Sequence, residues 1–120
     1  MFDHIGLHVT NLDASVRFYE AALAPLGLAL CSRDASSAGF GPPDEPALWL
    51  YAGATRSSAH LAFRATSRAA VERFYQRGVE AGGRDHGKPG VRADYAPTYY
   101  AAFLRDPDGN NVEAVCMATP

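Results

Sequence analysis

The feature that most constrains this chain is an internal repeat. The segment His4–Tyr19, HIGLHVTNLDASVRFY, aligns without gaps with His60–Tyr75, HLAFRATSRAAVERFY. Six of the 16 aligned positions are identical, whereas unrelated segments of ordinary composition would share about one. A repeat of this length predicts two copies of one supersecondary unit. The copies occupy about residues 1–56 and 57–120 of a chain whose 120 residues suit a single domain.

Each copy is predicted to begin with a strand and a helix. Ile5, Leu7 and Val9 alternate with polar or small residues, which is typical of a strand with one buried face. The first helix is indicated by apolar residues at three- and four-residue intervals: Val16, Tyr19, Leu23 and Leu26. Further strands are predicted at Leu28–Cys31, Ala47–Tyr51, Tyr99–Leu104 and Asn111–Met117.

Turn and loop signals complete the pattern. The tetrapeptide Asp106–Gly109, DPDG, predicts a hairpin between the last two strands. Ser36–Pro46 and Gly87–Pro97 are rich in Gly, Pro, Ser or Tyr and are predicted to be loops. The expected fold class is α+β, with two tandem βαβββ modules forming a curled mixed sheet around a concave site and with helices on the outer face.

Polar residues occupy the strand positions that point away from the helices. They are His4, His8, His60, Arg64 and Glu113. If the two sheets curl towards each other, these side chains line one concavity. Burying ionisable groups without partners costs on the order of several kcal/mol per ion. A metal, a ligand or water is therefore expected to satisfy them.

Two imidazoles and one carboxylate in this set predict a metal site. Two histidines of this set, with Glu113, would bind a divalent ion (Fe, Mn, Ni, Co or Zn) and leave coordination positions open for a substrate. Glu113 is also expected to take part in catalysis. The alternative is that both histidines are relics of the duplicated module and form hydrogen bonds in the cavity without a metal.

Other side chains are expected to contact a small-molecule substrate. His8 lies about 13 Å from His4 along an extended strand, so it is expected to contact substrate or a ligand residue instead of the same ion. Arg64 would pair with a carboxylate or phosphate of the substrate, or form a salt bridge inside the cavity. Aromatic residues expected at the cavity wall are Trp49, Tyr51, Tyr95 and Tyr100, with core packing as the alternative for some of them.

Composition argues against several other classes of function. The formal net charge is −2, which gives no attraction for nucleic acid or an anionic membrane. No apolar run approaches the ~20 residues of a membrane span, and the N-terminus has no signal-peptide pattern. Cys31 and Cys116 lack metal or redox spacing, which favours reduced thiols and a cytoplasmic location.

The segments HIGLHVTNLDASVRFYEAAL and FLRDPDGNNVEAV resemble the vicinal oxygen chelate superfamily. This superfamily includes glyoxalase I, extradiol dioxygenases, methylmalonyl-CoA epimerases, fosfomycin-thiol transferases and bleomycin-binding proteins. The resemblance covers nearly the whole chain and implies metal ligands at His4, His60 and Glu113. A fourth ligand position falls at Trp49, where glyoxalase I has glutamate or glutamine. This departure argues against glyoxalase I activity.

The resemblance implies a metal-dependent enzyme of lyase, isomerase or dioxygenase type that acts on a small oxygen-chelating substrate. Members of this size commonly complete their sites by pairing modules across subunits, so a homodimer is expected. The alternative is a metal-free protein of the bleomycin-resistance type that sequesters a small molecule. These two functions differ in whether the protein binds a divalent metal.

Overall fold

The computed structural model describes residues 1–120 and contains two βαβββ modules. The elements of the first module are β1 (Ile5–Val9), α1 (Leu12–Leu23), β2 (Ala29–Arg33), β3 (Ser37–Gly41) and β4 (Leu48–Ala52), with a 3₁₀ turn at Ala24–Leu26. Those of the second are β5 (His60–Arg64), α2 (Arg68–Glu80), β6 (Arg84–Val91), β7 (Tyr100–Arg105) and β8 (Asn111–Cys116). The predicted α+β class and the repeated module are confirmed. Neither helix has the length and apolar run needed to cross a membrane.

Each module forms its own four-stranded mixed sheet. The strand orders are β1-β4-β3-β2 and β5-β8-β7-β6. The β1/β4 and β5/β8 pairs are parallel and the other pairs are antiparallel. The sheets share no strand pairing within the chain, so β1 and β5 each lie at a sheet edge.

Equivalent residues of the repeat start the two helices. The side chain of Asn11 accepts a hydrogen bond from the amide of Ala14, and that of Ser67 accepts one from the amide of Ala70, each at 3.1 Å. Such caps satisfy amides that have no partner inside the helix. The second helix ends before Gly82, whose φ of 103° is easily reached only without a side chain.

The two helices occupy the junction between the modules. Each helix packs on its own sheet and also on the other helix, and residues of both modules form one apolar core. The packing is tight at Gly78, where a Cβ atom would lie 2.3 Å from Leu104 Cδ1 and 3.4 Å from Ala22 Cβ. Because the helices cover one face of each sheet, the faces that carry the polar residues remain on the surface.

The turn after β7 joins the two modules. Asp106 is 1% exposed, and its carboxylate accepts hydrogen bonds from the Tyr19 hydroxyl at 2.5 Å and from the amides of Asp108 and Asn110 at 3.0 and 2.8 Å. The carboxylate of Asp108 in turn accepts hydrogen bonds from the amide and the hydroxyl of Thr10 in the first module. Burial and the nearby carboxylates raise the pKa of Tyr19 well above its usual value. The predicted hairpin of β7 and β8 is confirmed.

Two segments that were predicted to be loops contain strands. Strand β3 lies inside the predicted loop Ser36–Pro46, and part of β6 lies inside the predicted loop Gly87–Pro97. In β3 the Trp49 ring fills the space beside Gly39, where a Cβ atom would be only 2.9 Å away. Strand β6 is at a sheet edge, where register shifts accommodate its glycines and proline.

Candidate functional site

An imidazole and a buried carboxylate face each other on the exposed side of the second sheet. His60 Nε2 lies 3.0 Å from Glu113 Oε1. Glu113 is 2% exposed, whereas about half of the His60 side chain is accessible. Val112 and Ala114 point to the core on either side of Glu113, so strand alternation turns the carboxylate away from the helices. The structure therefore brings together these two predicted ligands.

The second carboxylate oxygen of Glu113 is also engaged. The Tyr99 hydroxyl donates a hydrogen bond to Oε2, and the Tyr95 ring packs edge-on against Tyr99 with ring centroids 5.0 Å apart. Burial, followed by the hydrogen bond to Glu113 and its charge, raises the pKa of Tyr99 to about 12. The sequence grouped Tyr99 with Tyr95 and Tyr100 as tyrosines that could close a pocket and offer hydroxyls, and it did not single out Tyr99 as the residue that contacts the carboxylate.

A Tyr99→Phe substitution is expected to change the pH dependence of stability. The raised pKa means that the folded state favours the protonated hydroxyl, so its stabilising effect is complete below pH 10 and disappears as the pH rises from 10 to about 12. The difference in free energy of unfolding between wild type and variant should therefore be constant below pH 10 and shrink above it. Urea titrations followed by circular dichroism at several pH values measure it; an unchanged difference at pH 11.5 would contradict the assignment.

Two further side chains border the His60–Glu113 pair. The Phe103 ring stacks beside the His60 ring, with centroids 6.3 Å apart and planes 19° apart. The Arg92 guanidinium lies 5.4 Å from the Phe103 centroid and donates hydrogen bonds to the carbonyls of Gly90 and Lys88. Phe103 is opposite Glu113 in the β7/β8 register, so the hairpin pattern contained the signal for it. Arg92 follows β6, and its position had no such signal.

His4 does not join this pair within the chain. Its side chain is 56% exposed, and Nδ1 lies 2.7 Å from Asp3 Oδ1. His4 and His60 line a common cavity of about 450 Å³ with mostly apolar walls, but Glu113 is not among the lining residues. No three His, Cys, Asp or Glu side chains are grouped closely enough in one chain to hold a metal ion.

The other predicted contact residues of the first module lie on the exposed face of its sheet. His8 and Tyr51 are partners in the β1/β4 register, with ring centroids 6.1 Å apart. The Tyr51 ring lies over Gly6, where a Cβ atom would be 2.9 Å away. Trp49 is half-buried beside it on β4. Small residues on this face thus let two aromatic rings lie against the sheet.

Arg64 and Tyr100 lie on opposite faces of the second sheet. Arg64 is exposed on β5 and forms no salt bridge, so the alternative of an ion pair inside the cavity is not observed. Tyr100 was expected at the cavity wall, and the structure corrects this: its hydroxyl donates to Glu72 of α2 at 2.8 Å. The Arg68 guanidinium lies 4.8 Å from its ring centroid. Tyr100 faces the helix because its register partner, Cys116, does so.

Comparison with known structures places this architecture among characterised folds. A glyoxalase/bleomycin resistance protein from Albidiferax ferrireducens T118 has a TM-score of 0.83 and 28% identity, with 100% of this chain and 99% of that chain covered. A glyoxalase-related enzyme from Fulvimarina pelagi has a TM-score of 0.70 and 23% identity, and the match covers 93% of this chain and 84% of that chain. Glyoxalase I from Zea mays has a TM-score of 0.72 and 22% identity, and the match covers 95% of this chain but 43% of that longer chain.

Sequence comparison gives the family directly. No protein with curated annotation matches this chain in sequence. The family profile described as "Glyoxalase/Bleomycin resistance protein/Dioxygenase superfamily" matches residues 1–114. This match spans both modules and includes His4, His60 and Glu113. The chain therefore belongs to the glyoxalase/bleomycin resistance protein/dioxygenase superfamily.

Proposed function

We propose that this protein is a divalent-metal-dependent enzyme of lyase, isomerase or dioxygenase type that acts on a small substrate with two neighbouring oxygens. The observation that carries the proposal is the contact of His60 Nε2 with Glu113 Oε1 at 3.0 Å. A carboxylate that is 2% exposed on this face makes no contribution to the apolar core. Its burial is costly unless a cation or hydrogen-bond donors compensate it.

The donor chemistry of the pair fits a divalent ion. One imidazole nitrogen and one carboxylate oxygen suit Fe, Mn, Ni, Co or Zn, and a third protein ligand would still leave coordination positions for substrate. We propose that the third ligand is His4 of a second copy of the chain. The support is that His4 is exposed and stands apart from Glu113 in its own chain.

The surroundings of His4 support a homodimer. Phe2, Ile5 and Tyr51 are large apolar or aromatic residues with 72%, 37% and 40% exposure. They lie beside the free edge or on the exposed face of the first sheet. Apolar side chains at an unpaired strand edge are usually covered by another element or another subunit. A second copy that covers them would bring its own exposed sheet face close to His4.

Each neighbouring residue has a defined part in the proposed site. A divalent ion, when bound, supplies Lewis-acid stabilisation of negative charge on a substrate oxygen. The Tyr99 hydroxyl donates a hydrogen bond to Oε2 of Glu113, and this orients Oε1 towards His60. Phe103 restricts the His60 ring by stacking. Arg64, with no salt bridge of its own, would orient an anionic group of the substrate.

The aromatic residues of the first module would form the opposite wall of the pocket. Trp49 and Tyr51 present ring surface on the exposed sheet face, which suits stacking against a planar substrate. His8 lies next to Tyr51 and would hydrogen-bond to substrate. The proposal includes a cytoplasmic location, which is supported by the free thiols Cys31 and Cys116.

Metal analysis of untagged protein tests this function. After reconstitution with each of Fe, Mn, Ni, Co and Zn, we expect about one ion per chain for at least one metal. Glu113→Gln and His60→Ala should each weaken binding at least about 100-fold, because loss of a direct ligand should exceed the typical effect of losing an outer-shell partner. His86→Ala, a substitution of an exposed histidine on β6, is the matched control. Wild-type protein that takes up none of the five metals would refute the proposal.

A metal-free binding protein is the second candidate function. It is favoured by Trp49, since an aromatic residue stands at the fourth ligand position and its ring lies over the sheet face. Trp49 is the single tryptophan of the chain, so its fluorescence reports directly on this surface. Quenching by planar aromatic compounds in the presence of EDTA, unchanged in His60→Ala protein, would support this function over the enzyme.

A further inference from the structure

A polar cleft lies at the junction of the modules, away from the apolar cavity that His4 and His60 share. Its volume is about 540 Å³. The residues that line it come from the inter-module linker, the start of β6 and the turn after β7: Arg56, Ser57, Ser58, Arg84, Pro107, Asp108 and Gly109. Pro107 supplies the one apolar ring, and every other lining residue is polar, charged or glycine. The lining therefore suits a polar ligand group.

Two arginines of the cleft carry positive charge that no salt bridge neutralises. Arg56 and Arg84 are exposed and form no salt bridge. Arg105, the register partner of Arg84, donates from Nη1 to the carbonyl of Gly109 at 2.9 Å.

The acidic residues of the adjoining turn are already hydrogen-bonded. Asp108 is 8% exposed and accepts from the amide and hydroxyl of Thr10 at 3.1 and 2.5 Å. Asp106 is 1% exposed, and its carboxylate accepts hydrogen bonds from the Tyr19 hydroxyl and from the amides of Asp108 and Asn110 in the turn. Asp108 is therefore the one carboxylate that lines the cleft beside Arg56 and Arg84, and it already has hydrogen-bond donors of its own.

Ser57 adds a directed hydroxyl donor. Its amide donates to the carbonyl of His8 at 3.0 Å, and its Oγ accepts from the amide of His8 at 2.9 Å. Because Oγ acts as the acceptor in that contact, the hydroxyl proton is available for a ligand. The Ser57 hydroxyl, held by these two contacts, and the unpaired guanidinium groups of Arg56 and Arg84 are donors that match the oxygens of a tetrahedral phosphate group.

We propose that this cleft binds a phosphate group, either free inorganic phosphate or the phosphate of a small ester, between Arg56 and Arg84. The site goes beyond the proposed metal chemistry and needs no metal ion. Ser57 connects it directly to the backbone of His8, a residue on the exposed face of the first sheet. Occupancy of the cleft would hold the linker against β1 at that residue.

Titration calorimetry on EDTA-treated protein tests the site with inorganic phosphate, pyrophosphate and phenyl phosphate at constant ionic strength. We expect saturable binding of at least one of them, weakened about tenfold or more by Arg56→Gln and by Arg84→Gln, since hydrogen bonds to charged groups are the stronger kind. Arg73→Gln, an exposed arginine on α2, should leave binding unchanged.

The three probes distinguish the source of the phosphate. Tighter binding of phenyl phosphate indicates an ester, and binding of inorganic phosphate alone indicates the free anion. Absence of saturable binding to all three, or equal binding by the Arg56→Gln/Arg84→Gln double variant, would overturn the proposal. Because metal is removed throughout, neither result depends on the metal site.

Discussion

An equimolar mixture of His4→Ala and His60→Ala protein is expected to recover metal binding at about one quarter of the wild-type sites, although each variant alone has lost it. In the proposed dimer each site takes His4 from one copy and His60 with Glu113 from the other. Half of the randomly formed dimers contain both variants, and in these dimers one site carries both substitutions while the other carries none. The recovered sites should bind with wild-type affinity.

The measurement requires exchange of subunits. The two variants are mixed, unfolded in urea and refolded together, and bound metal is then determined by elemental analysis and calorimetry. A mixture of His60→Ala with Glu113→Gln is the matched control, because both residues belong to the second module and no intact site can form. Light scattering reports whether dimers are present. Dimers that fail to recover metal binding would show that His4 does not serve a partner.

The second large effect is expected at the turn that joins the modules. Asp106→Ala should lower the free energy of unfolding by about 3 kcal/mol or more, because it leaves the buried hydroxyl of Tyr19 and donors of Asn110 without an acceptor. Domains of this size have total stabilities of roughly 5–15 kcal/mol. The substitution is therefore expected to remove between about one fifth and more than half of the free energy of unfolding.

Urea unfolding followed by circular dichroism measures this effect. Asp13→Ala is the control, since Asp13 is 88% exposed and pairs only with Arg33 at the surface. Removal of an exposed ion pair changes stability by at most about 1 kcal/mol. Equal effects of the two substitutions would mean that the Asp106 hydrogen bonds do not determine how the modules are joined.

Local patterns in the sequence were sufficient for the repeated module and for part of the site. The repeat predicted both strand–helix units, and DPDG predicted the hairpin of β7 and β8. Alternation along two strands placed His60 and Glu113 on the same face, where they are 3.0 Å apart. These features depend on residues that are close in sequence or on the two-residue period of a strand, so no tertiary information is required.

Features that depend on tertiary packing could not be predicted in the same way. Strand β3 is rich in small residues, and its place in the sheet depends on the Trp49 ring that lies over Gly39. Alternation along the predicted strand Tyr99–Leu104 puts Tyr99 on the same face as Phe103, but the contact of its hydroxyl with Glu113 depends on tertiary packing. Tyr100 was expected at the cavity wall because it is aromatic, although alternation with Ala102 and Leu104 points it to the helices; its hydrogen bond to Glu72 of α2 depends on tertiary packing.

The contact at Gly78 has a consequence for the origin of the chain. Gly78 and Ala22 are equivalent positions of the repeat, 56 residues apart, and they meet each other at the helix junction. A surface that meets its own equivalent is the type of contact by which two identical subunits form a twofold dimer. Fusion of two such modules converts that association into an intramolecular one with a high effective concentration. The junction then persists at any dilution, which leaves the exposed sheet faces free to evolve separately.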